Sequence, residues 1–138
     1  MIFDPNDPAD AAATARLRSE GLAWLTTAFP DGRLAASLVW FLWIDSELIV
    51  YSRDNAKVRN IESNPNVAFN LNSDDRGGSV LTISGHARID HTYPASDQVP
   101  EYTAKYAGRI DGNGWTPASF AADYSVPIRI TPTSFRAW

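Results

Sequence analysis

The sequence predicts a mostly β domain, in which about six short antiparallel strands close into a small barrel with short helices set between them. Three observations carry that expectation. From residue 22 onward the texture changes to β, and in 79–92 and 126–131 the apolar positions alternate with a period of two. Turn-forming groups such as Pro30-Asp31-Gly32 and Asp45-Ser46 cut this region into strand-length pieces. A chain of 138 residues, 44% of them hydrophobic, is long enough for a core of its own, which short antiparallel strands bury most easily by closing on themselves. A single domain over residues 1–138 is expected.

Each element follows from its residues. Asp7 can cap a first helix with Pro8 in its first turn, and a rough helical period runs on until Gly21 stops it. Residues 22–29, 33–44 and 47–52 read as a meander of three strands. Asp54-Asn55 can cap a helix over 56–63, which Asn64-Pro65 ends, and 67–71 resumes as strand. Residues 72–78 read as a loop. In 79–92 Leu81, Ile83, Gly85, Ala87 and Ile89 alternate with polar residues, so one face goes to the core. Residues 96–106 are moderately helical despite Pro100, 108–114 read as flexible, and Thr116-Pro117 opens a short helix to residue 124. The last strand spans 126–138, with Val126, Ile128 and Ile130 on one side.

Composition narrows the function classes. Sixteen acids against twelve bases give a net charge of −4, which argues against a basic nucleic-acid-binding face. The absence of cysteine excludes Cys-ligated zinc, iron–sulfur clusters and thiol catalysis. His86 and His91 point to opposite faces of a strand and make no metal pair, and no metal site is expected. No Ser-His-Asp, HExxH or Walker pattern occurs. An acidic start broken by Pro5 and Pro8 is unlike a secretory signal, and the longest apolar run, 38–44, falls far short of the roughly 20 residues of a membrane span. A cytoplasmic protein is expected.

Two local features suggest chemistry. Ser52-Arg53-Asp54-Asn55-Ala56-Lys57-Val58-Arg59-Asn60 gathers positive charge where a strand hands over to a helix N-terminus, a place suited to a phosphate; the same cations could instead form a solvated face paired with Asp54 and Glu62. Residues 38–44 are bulky on both faces, so both are covered by protein, or one covers a flat ligand or a second subunit. A planar ring on that strand and a phosphate at the helix start together describe a flavin-like molecule.

The order of these pieces resembles the flavin-binding split-barrel superfamily that includes pyridoxamine 5'-phosphate oxidase, and within it the small deazaflavin-dependent reductases. The resemblance lies in Gly21-Leu22-Ala23-Trp24-Leu25-Thr26-Thr27 with Asp31-Gly32-Arg33, in Ser37-Leu38-Val39-Trp40-Phe41, and in Tyr51-Ser52 with Ala56-Lys57-Val58-Arg59-Asn60-Ile61 and Asn64-Pro65-Asn66-Val67. It implies a six-stranded antiparallel split β-barrel of the FMN-binding type, paired as a homodimer with cofactors at the subunit interface. Val39, Trp40 and Phe41 would then line the ring, largely through backbone groups; Ser52, Lys57, Arg59 and Asn60 would hold or adjoin the phosphate. Trp138 and Arg136 would close the groove of the partner. The implied activity is that of an oxidoreductase passing a hydride from reduced coenzyme F420 to an unsaturated small-molecule substrate. FMN is the alternative cofactor, and a non-catalytic flavin or tetrapyrrole carrier the alternative function. Vitamin B6 oxidation is not implied, because the oxidase's dense Arg/Lys pattern is missing. No catalytic side chain is assigned; Tyr51, His86 or water would supply the proton.

Overall fold

The computed structural model describes residues 2–138. In chain order the elements are α1 (Pro8–Ser19), β1 (Ala23–Ala28), β2 (Leu34–Val39), β3 (Leu42–Ile44), β4 (Glu47–Ser52), α2 (Ala56–Ser63), β5 (Asn66–Leu71), β6 (Leu81–Ile89), a 3-10 turn (Ser96–Gln98), α3 (Pro100–Gly112), α4 (Pro117–Asp123) and β7 (Val126–Ala137). The strands form one antiparallel sheet in the order β2-β1-β5-β6-β7-β4-β3. β2 and β3 stand at opposite ends of that order, yet only Trp40 and Phe41 separate them in the chain. Such a link spans at most about 11 Å from Val39 to Leu42. The sheet must therefore curl until its two ends nearly meet, which makes an open antiparallel barrel split at Trp40–Phe41.

The inward positions of the strands fill this barrel. Leu25, Val50, Phe69, Ile83 and Ile128 meet in its core, and α1 adds Ala13 and Leu17. Phe3, ahead of α1, packs there edge-on to Trp43, with ring centroids 5.7 Å apart. The cap of α1 follows the sequence: the Asp7 carboxylate accepts from the N–H groups of Ala9 and Asp10, and Pro8 holds the first helical position. Asp45 and Ser46, with φ of 53° and 60°, form the tight β3–β4 hairpin. Gly85 sits at a register shift between β6 and β7, where a Cβ would lie 2.8 Å from the Thr131 carbonyl oxygen.

A second cluster lies outside the barrel. α3 and α4, inserted between β6 and β7, cover the outer face of β4 with Tyr102, Tyr106, Ile110 and Phe120, which pack on Leu42, Ile49 and Tyr51. This explains the two-faced run at 38–44: Phe41 and Trp43 turn into the barrel, while Trp40, Leu42 and Ile44 turn to the insert. Protein covers both faces there, leaving Leu38 exposed.

Three expectations change. The strand count is seven rather than six, because 33–44 breaks at Trp40–Phe41 where the sheet closes. The segment 108–114, read as flexible, is mostly helix: α3 runs through Gly108 to Gly112, held by Tyr102, Tyr106 and Ile110 four residues apart on its buried face. Asn55 occupies the N-cap position of α2, but its side chain makes no capping bond. No helix among the described residues is long and apolar enough to cross a membrane.

Candidate functional site

β4 ends at Ser52, and the chain turns through Arg53, Asp54 and Asn55 into α2. This turn forms one end of a cavity of about 410 Å³. Leu38, Val39 and Trp40, where β2 runs into the split, form another wall beside Tyr51 and Ser52 of β4. The insert closes the remaining side with Asn113, Trp115, Phe120 and Tyr124. The volume is in the range of small-molecule sites.

The turn end is cationic and short of partners. Lys57 Nζ donates to Ser52 Oγ at 3.2 Å, and Ser52, itself buried, donates to the Arg53 carbonyl at 2.7 Å. Burial pulls the Lys57 ammonium below the usual lysine range, since leaving water disfavours its charged form. Arg53 lies with its Cζ 4.9 Å from the Tyr124 ring centre and so links the turn to the insert. Among the described residues no ion pair joins Arg53, Lys57 or Arg59 to Asp54 or Glu62, so the paired surface face considered from sequence does not form. With Asn55 not capping, no backbone acceptor among the described residues serves the N–H groups of Ala56 and Lys57. The Asn55 Oδ1 is buried without a hydrogen-bond partner.

A smaller hollow of about 250 Å³ adjoins through Asn55 and Lys57 and is lined by Thr27, Ala35, Ser37, Ala56 and Asn60. Asn60 Nδ2 donates to Thr27 Oγ1 at 3.1 Å between two buried side chains, fastening α2 to β1.

The structure thus gathers Val39, Trp40, Ser52 and Lys57 of the expected site around one cavity, with Asn60 in the hollow beside it. It does not bring Phe41, Arg59 or Trp138 to that cavity. Phe41 is buried in the barrel, edge-on to Phe69 at 5.1 Å. Arg59 is exposed because two residues beyond Lys57 on a helix is about 200° around it. Trp138 is 64% exposed and donates through Nε1 to the Gly77 carbonyl at 3.0 Å, with the Arg136 guanidinium 5.6 Å from its ring centre. Tyr51 lines the cavity, but its hydroxyl donates to the Pro94 carbonyl at 2.7 Å, and burial raises its pKa. His86 is exposed on β6, away from the cavity. Sequence reasoning missed the insert's contribution; its signal was three aromatics, Trp115, Phe120 and Tyr124, in an otherwise small and polar stretch.

Comparison with known proteins adds the following. A family model described as pyridoxamine 5'-phosphate oxidase matches residues 9–138. A conserved hypothetical protein of Mycobacterium tuberculosis superposes with a TM-score of 0.75 at 23% identity, covering 93% of this chain and 82% of the other. A structure described as an F420 reductase gives 0.64 at 27% identity, over 88% and 94% of the two chains. The heme storage protein HutZ of Vibrio cholerae gives 0.63 at 18% identity, over 99% and 95%. The likenesses to the Mycobacterium tuberculosis protein and to HutZ, both under 25% identical, speak to the fold alone. Comparison with curated proteins gives no match.

Proposed function

Starting from a chain that belongs to the pyridoxamine 5'-phosphate oxidase family, we propose that it is a homodimeric oxidoreductase that binds coenzyme F420 and passes a hydride to an unsaturated small-molecule substrate. The carrying observation is Lys57, a half-buried cation without a carboxylate partner, set beside Ser52 and the unserved N–H groups of the first turn of α2. An anion at this end would offset the cost of burying the ammonium and would accept hydrogen bonds that the fold leaves unmade. The residues present therefore fit the phosphate of a flavin or deazaflavin.

When bound, the reduced deazaflavin supplies the hydride. The chain's own residues bind, orient and exclude water. Lys57 and Arg53 would hold the anionic end, with Ser52 Oγ fixing the Lys57 ammonium there, and Val39 and Trp40 would form the apolar wall at the ring end. Trp115, Phe120 and Tyr124 limit water over that wall. The Tyr51 hydroxyl is committed to Pro94 and His86 lies elsewhere, so the proton that completes reduction is assigned to solvent. The 27% identity to the F420 reductase supports F420, and FMN is the alternative.

The homodimer rests on an exposed apolar stripe. Trp24, Leu34 and Leu38 are 37%, 71% and 51% exposed and are joined through the pairs Trp24↔Leu38 and Ala28↔Leu34 on the outer face of β1 and β2. Leu38 also lines the cavity, so a second copy on this face would wall it, and exposed Trp138 is assigned to the partner's groove.

The test is titration of purified protein with F420 and with FMN, followed by fluorescence quenching. Saturable binding of F420 tighter than FMN is expected, together with turnover of reduced F420 by activated alkene acceptors. Binding of neither cofactor would overturn the reading.

A further inference from the structure

At the split, the chain passes from one end of the sheet to the other, and among the described residues Phe41 pairs with no strand. Buried backbone N–H and C=O groups left in that state are costly. α3 supplies the partners instead. Tyr106 Oη accepts the Phe41 N–H at 2.8 Å and has both the Phe41 and Gly21 carbonyls at 2.9 Å for its single proton. Lys105 Nζ donates to the Phe41 carbonyl at 2.9 Å and lies 3.8 Å from the centre of the Phe41 ring. The Tyr106 ring also stacks on Trp40, with centroids 4.7 Å apart and planes 3° from parallel. Two consecutive residues of the insert thus grip the dipeptide by backbone and ring at once. Trp40 borders the cavity while Phe41 fills the barrel, so any twist of this dipeptide would swing the wall at the ring end.

We infer that Tyr106 and Lys105 are positioning residues, which hold the Trp40–Phe41 link and thereby set affinity for the ring of the cofactor while leaving affinity for its anionic tail untouched. This rests on the proposed cofactor site. It also means that the Phe41 backbone is spent within the protein, so the ring must be met through Val39 and Trp40.

The decisive comparison uses F420 and FMN as ring-bearing probes and ribitol 5-phosphate as a ring-free one, on wild type, Tyr106→Phe and Lys105→Met. Tyr106→Phe keeps the stack on Trp40 and removes only the hydroxyl. Ring-probe affinity should fall about tenfold in it, which loses the bond accepted from the Phe41 N–H and the one donated to a carbonyl, and about threefold in Lys105→Met, which loses the bonds to the Phe41 and Leu17 carbonyls, with ribitol 5-phosphate unchanged within about twofold. Lys105→Met keeps the hydroxyl and reads the same effect should Tyr106→Phe fail to fold. Unchanged ring affinity would overturn the inference, and so would a parallel fall for ring and tail, which marks a merely structural role. Wild type that binds neither F420 nor FMN would instead remove the cofactor site itself, and this inference with it.

Discussion

Replacing Lys57 by Met separates a binding role from a structural one, because the two predict opposite signs. In the free protein Lys57 is half-buried, makes one side-chain hydrogen bond, to Ser52 at 3.2 Å, and has no carboxylate partner. Burial lowers its pKa, so the fold loses free energy by keeping it charged. Methionine keeps most of the apolar stem, and the free variant should be as stable as wild type or more stable, by up to about 1 kcal/mol. The cofactor-bound state should move the other way. A hydrogen bond between charged groups contributes roughly 1.5–3 kcal/mol, so Kd for F420 or FMN should rise about 10- to 150-fold. Thermal or urea unfolding reads the first quantity and fluorescence titration the second. Affinity within about twofold of wild type, or a free variant destabilised by more than about 2 kcal/mol, would refute the reasoning.

Arg59→Ala should change cofactor affinity less than about twofold, since Arg59 is exposed and off the cavity and acts only through screened long-range charge; the same titration checks it. Leu34→Asp puts a charge in the exposed stripe without touching the cavity, and light scattering should show a monomer in place of the dimer. Lys105 gives a pH signature. Burial, and then Arg109, push its pKa down to about 8, against Glu20, from the 10.5 of an unfolded chain. Between those values the unfolded chain binds more protons, so wild type should gain stability relative to Lys105→Met as pH rises from 8 to 10, by about 1 kcal/mol after solvent screening. Urea midpoints at both pH values measure it, and wild type losing stability relative to the variant over that range would contradict the assignment.

Much of this architecture was legible in the sequence where one residue decides one local outcome. Asp7-Pro8 announced the start of α1, and the alternation at Leu81, Ile83 and Ala87 announced the inner face of β6. What alternation cannot carry is a closure between distant strands: Leu38 to Ile44 reads as one apolar run, and only the sheet order shows why it must break after Val39. The second half of α3 was hidden by Gly108 and Gly112, whose weak helix propensity is outweighed by burial of Tyr102, Tyr106 and Ile110. At the site, Ser52 and Lys57 were visible because they are close in sequence. Arg59 was grouped with them by charge and by the resemblance, without regard to helical phase. Trp115, Phe120 and Tyr124 reach the cavity through a tertiary contact more than fifty residues along the chain, which no local pattern encodes.

The most direct measurement is a crystal structure of the F420 complex. The account predicts the phosphate within hydrogen-bond distance of Lys57 Nζ and the first-turn N–H groups of α2, with the ring against Val39 and Trp40 and the α3–α4 insert over it. A phosphate held elsewhere, with Lys57 still bonded only to Ser52, would contradict it.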